Sequence, residues 1–417
     1  MKNIFVTNIK IENVRHLKNI NISMSKDEAR HLIFTGKNGS GKTSVLEALS
    51  HYLDAAATSD RLTEAQQFLQ QHKDELERLQ QQNVLSAKVI EEENAVIRYT
   101  DELNRIKSGI CVEFSESADT LRYHFEKGQF VLAYYKAERI FKADIPQHVE
   151  KVNLKEKYLI TEEPRQIFIK YLLDLKVTEA LARSNGNISK AESIKKWFIQ
   201  FENLLRKIFD DKSLELIFVE DTFKFFIKEK NRELFDFNML SSGFAAVLDI
   251  VLDIIVRMEK ATNKSFDFNV PGIVIIDEIE THLHLELQKS ILELLTSVFP
   301  NIQFIVSTHS PFILNSLENV VIYDLENNIT VKNGLSNVPY SGIVEGYFKA
   351  DVMSNILKEK YEKYKRLVVK ENLSDEDFEE IAELEMFLNE IPDYLALNIT
   401  TEYQRLKAEF DKREDIE

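Results

Sequence analysis

Three groups of residues in this sequence have the types and spacing to do chemistry. The first is Gly36-Lys-Asn-Gly-Ser-Gly-Lys42-Thr43, which fits G-x-x-x-x-G-K-[ST]. Its glycines let the backbone wrap a phosphate chain without Cβ clashes. Loop N–H groups over Gly36, Lys37, Asn38, Gly39, Ser40 and Gly41, with the helix start at Lys42, Thr43 and Ser44, then form an anion site. Lys42 is placed to reach the β and γ phosphates, and the Thr43 hydroxyl to ligate Mg²⁺. The second group is Asp277-Glu278, directly after an apolar run from Gly272. A carboxylate at a strand end can hold the same Mg²⁺, and its neighbour can orient or deprotonate a water. The third is His309, after the apolar run Ile302–Ser307. A polar side chain there can sense the γ-phosphate.

Each group has a plainer reading: a glycine turn before an ordinary helix, a surface acid pair, a structural histidine. The surrounding elements decide between them. His31–Phe34 reads as a buried strand before the glycine loop, and Val45–Leu49 opens a helix after it. The apolar runs 31–34, 130–135, 272–277 and 302–307 predict a mostly parallel sheet with ligands at the strand C-ends. Residues 2–10 and Ile20–Met24 predict a hairpin around a turn at Asn13–Lys18. Leu62, Leu69 and Leu76, then Val89, Val96 and Leu103, sit seven apart on either side of a break at Asn83–Ser86. They predict an antiparallel helical hairpin of coiled-coil type, with His72 at the seam. Ile110–Phe114 and Arg122–Glu126 read as paired strands, and 142–160 as a charged connection without assignment. Two helices follow over Pro164–Arg183 and Ile188–Phe209, then a hairpin over 214–227. Leu240-Ser241-Ser242-Gly243 precedes an apolar helix, about Ala245–Met258. Ser310-Pro311 and Ser374-x-x-Asp377 read as helix starts, and Asp411–Glu417 as a frayed end.

The chain has 417 residues, a net charge of −16 and one cysteine, Cys111. The acidic balance disfavours nonspecific nucleic-acid binding by the chain as a whole. One cysteine allows no internal disulfide and no cysteine-based zinc site, which predicts a cytoplasmic setting. No run of about 18 apolar residues marks a membrane span. Asn3 and the polar Asn8–Glu12 stretch interrupt any signal-peptide core.

P-loop, Leu-Ser-Ser-Gly before a helix, Ile-Ile-Asp-Glu and a strand-end histidine, in that order, resemble an ABC-class ATPase. More narrowly, the chain is similar to the branch holding RecF, the SMC proteins and the OLD-type ATPases. Asn13-x-Arg15, Asp277-Glu-Ile-Glu280-Thr-His282-Leu-His284 and Ser307-Thr-His-Ser-Pro311 are OLD-like. The resemblance implies ATP and Mg²⁺ as ligands. It implies Glu278 as catalytic carboxylate, His309 as switch histidine, and Thr43 and Asp277 as metal ligands. It also implies that Leu240–Gly243 caps the γ-phosphate of a second protomer, giving an ATP-sandwiched homodimer or higher oligomer. Two departures stand out. Ser242 and Phe244 replace a glycine and a glutamine of the usual signature, and no glutamine follows the 130–135 strand, where Lys136 or Arg139 is the possible substitute.

The expected organisation is an α/β P-loop head formed by 1–59 with 108–160 and by 213–335. A helical hairpin (60–107), a second helical insertion (161–212) and a helical C-terminal segment (336–417) complete it. The helical insertion and C-terminal segment resemble stand-alone ATPases of bacterial anti-phage systems, Septu and retron-associated. That resemblance implies a separate effector such as an HNH-type nuclease. One alternative is a RecF- or SMC-like DNA clamp, using Lys224, Lys228, Lys230 and Arg232 or Lys190, Lys195 and Lys196. The other is an OLD-like nuclease, for which Asp324-Leu-Glu326 and Asp375-Glu-Asp377 are the candidate acids.

Overall fold

A computed structural model describes residues 3–82, 87–139, 144, 146, 148–230, 232–262, 266–348, 354–390 and 397–413. The expected break at Asn83–Ser86, part of the 142–160 connection and the end at 414–417 lie outside these. The chain divides into two compact units, Met1–Val338 and Pro339–Glu417.

The first unit is built on the apolar runs. β1 (Val6–Val14) and β2 (Leu17–Ser23) form the expected hairpin, with the turn tightened to Arg15–His16. β3 (His31–Thr35) leads into the glycine loop and α1 (Lys42–Thr58). α2 (Arg61–Gln81) and α3 (Ala87–Lys107) are the helical hairpin. His72 at its seam meets Glu92 at 2.6 Å and stacks on Tyr99, as does Phe68, so the two helices run antiparallel.

β4 (Ile110–Phe114) does not pair with Arg122–Glu126. It pairs antiparallel with β1, across the whole helical hairpin, to give a sheet of order β2-β1-β4. Residues 118–126 are instead α4 (Ala118–Glu126), started by the Ser117 side chain accepting from the Thr120 amide. Leu121 and Phe125, one turn apart, are its buried face.

β5 (Val131–Tyr135) is followed, after a 3-10 turn at Pro164–Ile167, by α5 (Phe168–Ser184) and α6 (Ile188–Phe209). Next come the β6 (Glu215–Val219) and β7 (Lys224–Lys228) hairpin and α7 (Ser242–Glu259). β8 (Gly272–Ile276), α8 (Leu285–Val298), β9 (Ile302–Ser307), α9 (Pro311–Leu314), β10 (Val320–Asp324) and β11 (Ile329–Val331) complete the unit. The main sheet has the order β11-β10-β3-β9-β8-β5, all parallel except β11. Its central strands are buried on both faces, which is why their sequences are nearly continuous runs of Ile, Val and Leu. Each such side chain stabilises the fold by about 1.5–3 kcal/mol. Strands from 1–59, 108–160 and 213–335 share this one sheet.

Gln303 of β9 joins the two sheets. Its carboxamide accepts the Val6 amide at 2.7 Å and donates to the carbonyls of Val6 (3.0 Å) and Arg30 (2.7 Å). α7 is buried along most of its length yet carries Asp249, Asp253, Arg257 and Glu259. Arg257 pairs with Asp253 at 2.7 Å and donates to the carbonyls of Leu132, Leu159 and Glu162. The Asp253 carboxylate also accepts from the Tyr135 hydroxyl, and Glu259 accepts from Tyr171 and from Trp197 Nε1. This polar seam fixes α5, α6 and α7 against β5. Among the described residues no helix is long and apolar enough to cross a membrane.

In the second unit, α10 (Tyr340–Gly342) and a π-turn at Ile343–Tyr347 precede α11 (Asn355–Val368), α12 (Asp375–Asn389) and α13 (Leu397–Phe410). Tyr361, Tyr364, Val368, Ile381, Leu384, Leu388 and Tyr403 form its core. Ser374 and Asp377 make the expected reciprocal cap.

Candidate active site

The site forms where three neighbouring parallel strands end. β9 lies between β3 and β8, so the C-ends carrying Gly36, His309 and Asp277 stand side by side. Backbone hydrogen bonds hold these ends in register. Thr308 donates to the Phe34 carbonyl, Ile279 to Ser307 and Asp277 to Tyr135.

Gly36, Gly39 and Gly41 all have positive φ, so the loop takes the path the glycines permit. At Gly41 a Cβ would also meet Leu17 Cδ1 at 2.8 Å, because the β1–β2 turn lies over the loop. Gly41 gives α1 no side-chain cap, which leaves the first-turn amides of a 17-residue helix for an anion. The Lys42 ammonium is buried and curls back over the loop, donating to the carbonyls of Gly36 (2.9 Å) and Lys37 (3.2 Å). Burial lowers its pKa, against the pull of Glu278, Glu280, Asp277 and Asp324. Lys37 and Asn38 are exposed, and the Ser40 hydroxyl is buried without a hydrogen-bond partner.

Asp277 is buried. Ser307 Oγ donates to its Oδ1 at 2.5 Å and in turn accepts the Glu278 amide at 2.7 Å. Glu278 is only half-buried and has φ +44°, a left-handed conformation that side chains with a Cβ adopt only when held there. Glu280 accepts the His309 amide with Oε1, while Glu280 Oε2 and His309 Nε2 are buried without partners. Burial, and then the Lys42 ammonium, lower the His309 pKa, so its ring is neutral near pH 7. Thr43 and Asp277 carry oxygen donors of the kind a hard divalent cation takes, and the Ser40 hydroxyl and Glu280 Oε2 are buried without partners.

Leu240–Gly243 leads into α7. Ser241 and Ser242 are exposed, and Ser241 makes no side-chain cap. Gly243 is buried, with an added Cβ 3.2 Å from the His282 carbonyl oxygen, so the helix starts against the loop after the acids. The structure separates the two residues considered for the missing glutamine. Lys136 is exposed at the end of β5. Arg139 is buried, and its guanidinium is committed to the carbonyls of Lys136, Asp277, Glu278 and Ile279. It braces the acid-bearing turn, a role that sequence patterns do not mark.

The acids considered for a nuclease make local contacts. Asp324 accepts the amides of Glu326 and Asn327, Glu326 pairs with Lys37, and Asp375–Asp377 lie in the capped first turn of α12. Of the basic residues considered for DNA, Lys228 pairs with Glu215 and Arg232 with Glu229, whereas Lys190, Lys195 and Lys196 are exposed.

Glycine loop, paired strand-end acids and a neighbouring-strand histidine on a mostly parallel sheet define a P-loop ATPase head of ABC type. The chain belongs to the family described as "AAA domain, putative AbiEii toxin, Type IV TA system", whose model matches residues 32–315. It is similar to the "Retron Ec83 probable ATPase" of Escherichia coli, 34% identical over 36% of this chain and 29% of that protein. It is also similar to the "Retron Vc95 probable ATPase" of Vibrio cholerae, 24% identical over 71% of this chain and 69% of the relative. The Septu protein PtuA of Bacillus mycoides is 40% identical over 19% of this chain and 11% of its own length. The chain thus matches less than a third of the Ec83 ATPase and about a ninth of that PtuA. An SMC head solved with the C-terminal winged-helix domain of ScpA aligns with 81% of this chain and all of its own, at 14% identity and a TM-score of 0.40.

Proposed function

We propose that this chain hydrolyses ATP, pairs with a second copy of itself across the nucleotide, and by that cycle regulates a separate effector protein, such as a nuclease, in anti-phage defence. One observation carries the reading: the glycine loop, Asp277-Glu278 and His309 converge on adjacent strand ends, with several carboxylates around one buried lysine. Lys42 and the loop amides hold the triphosphate. Thr43 and Asp277 would hold Mg²⁺, which would supply positive charge against that of the phosphates. Glu278 orients and deprotonates the attacking water, and the neutral His309 ring donates or accepts beside the γ-phosphate. Exposed Ser241 and Ser242 at the start of α7 are placed to receive a phosphate from a partner copy. The retron and Septu relatives support an effector partner, and the setting is the cytoplasm.

The test is Glu278→Gln in ATP and Mg²⁺. Hydrolysis should fall by about 10²–10⁴-fold, and light scattering should show a dimer that wild type forms only transiently. A monomer in excess nucleotide refutes the paired-head model. Recovery of DNA with no protein partner, when this variant is captured from its host, refutes the effector model and favours a clamp.

A further inference from the structure

Arg139 lies just past β5 and is 4% exposed. Its guanidinium forks over the turn that carries the acids. One terminal nitrogen donates to the carbonyls of Lys136 (3.0 Å) and Asp277 (2.8 Å), the other to those of Glu278 (3.0 Å) and Ile279 (3.4 Å). Between those carbonyls stands Glu278, in its left-handed conformation. Such a conformation persists only when its surroundings over-determine it. A planar fork that grips successive carbonyls is a device for that, which a lysine ammonium cannot copy.

Arg139 is also linked by charge to α7. Its Nε is buried with no hydrogen-bond partner. Burial lowers the guanidinium pKa, and Asp249 of α7 heads the carboxylates that oppose this, ahead of Glu280, Asp277 and Glu278. Asp249 is fully buried. Arg165 Nε lies 2.5 Å from its Oδ1, off the N–H axis, and neither carboxylate oxygen has a hydrogen-bond partner. Asp249 therefore interacts with both guanidinium groups by charge, with Arg165 in direct contact, rather than through a fixed hydrogen bond.

The geometry points to Arg139 as the positioning residue of Glu278: its fork fixes the 277–279 backbone, and the charge of Asp249 ties that fork to α7. The helix that begins at Ser241–Gly243 is then coupled to the carboxylate that activates water. If the fork is lost, the turn relaxes and Glu278 leaves its place, while the glycine loop, on another strand, still binds nucleotide. This rests on the proposed role of Glu278.

Arg139→Lys keeps the charge and removes the fork. It should leave ATP affinity within about threefold by calorimetry and lower kcat by about tenfold or more. Amide exchange over 277–283 should quicken by about tenfold, with 36–44 unchanged. The amides of Asp277, Glu278, Ile279, Thr281 and Leu283 are all bonded in this turn, so it gives a readable signal. Asp249→Asn, which keeps the side-chain shape, is the second variant and should show the same split with a smaller fall. Exchange over 277–283 within about twofold of wild type in both variants, or a loss of ATP affinity as large as the loss of kcat, overturns the proposal. A wild-type chain that does not hydrolyse ATP refutes the role of Glu278. Exchange then still decides the clamp: quickened in Arg139→Lys it stands, unchanged it falls.

Discussion

Acid should weaken the first unit through one residue, His31. It opens β3, the strand that ends in the glycine loop, and its Nδ1 accepts the Phe304 amide of β9 at 3.1 Å. Burial holds the imidazole pKa down at about 4, against 6.5 in the unfolded chain. The ring must be unprotonated to accept that hydrogen bond. A histidine with a lowered folded pKa contributes stability that is complete above pH 6.5 and is lost as the pH falls from 6.5 to 4, with no further loss below. The shift of about 2.5 units corresponds to about 3 kcal/mol in all, and to about 2 kcal/mol between pH 7 and pH 5. His31→Asn retains an acceptor near the position of Nδ1 and does not titrate. Urea unfolding followed by the fluorescence of Trp197, buried in the same unit, reads both proteins. With a slope of about 3 kcal/mol per M, the wild-type midpoint should fall by about 0.7 M more than that of the variant between pH 7 and pH 5. Carboxylates common to both proteins cancel in the difference. Midpoints that fall in parallel refute the reasoning.

Two further substitutions test the site and its support. Lys42→Ala removes an ammonium placed for two charge-assisted hydrogen bonds of about 1.5–3 kcal/mol each, so calorimetry should show ATP binding weakened by about 100-fold or more; affinity within tenfold of wild type, about 1.4 kcal/mol, refutes the glycine-loop reading. Arg257→Met leaves Asp253 buried beside carbonyls that have lost their donor, at a cost of about 3–5 kcal/mol. Thermal unfolding should register it, with partial recovery in Arg257→Met/Asp253→Leu, and a loss below about 1 kcal/mol would show that the seam does not hold α7.

The elements that carry the site were legible because buried parallel strands announce themselves. Runs such as Ile273–Ile276 and Ile302–Val306 need no alternation, since both faces are covered. Arg122–Glu126 reads as a strand because Tyr123 and Phe125 alternate, although Leu121 and Phe125 also fit a helical turn. The Ser117 cap was the signal that decides it. The pairing of β4 with β1 was hidden for another reason. It joins residues about a hundred apart across an inserted helical hairpin, and no local pattern encodes such a partner. The sequence marks Arg139 only by its place after a strand, whereas its contacts are to backbone carbonyls, which leave no trace in side-chain spacing.

The departures at the signature make sense as packing. Ser242 is exposed, so a Cβ there meets no obstacle. Phe244, in place of a glutamine, stacks on Phe209 of α6 with ring centroids 4.3 Å apart and turns its edge to His284 at 6.2 Å. Gly243 fits close against the His282 carbonyl, and Asp249 lies within charge reach of Arg139. α7 therefore meets the 277–284 segment directly at Gly243 and Phe244, and Asp249 acts by charge on Arg139, which grips the carbonyls of Asp277 and Glu278. A displacement of its first turn cannot leave that segment unmoved, because packed interiors transmit strain rather than absorb it. Strengthening the tie between a helix end and the acid-bearing turn makes the position of Glu278 depend on what the helix end touches. A chain working alone as a steady hydrolase gains nothing from that dependence, whereas one whose hydrolysis must await a second copy requires it.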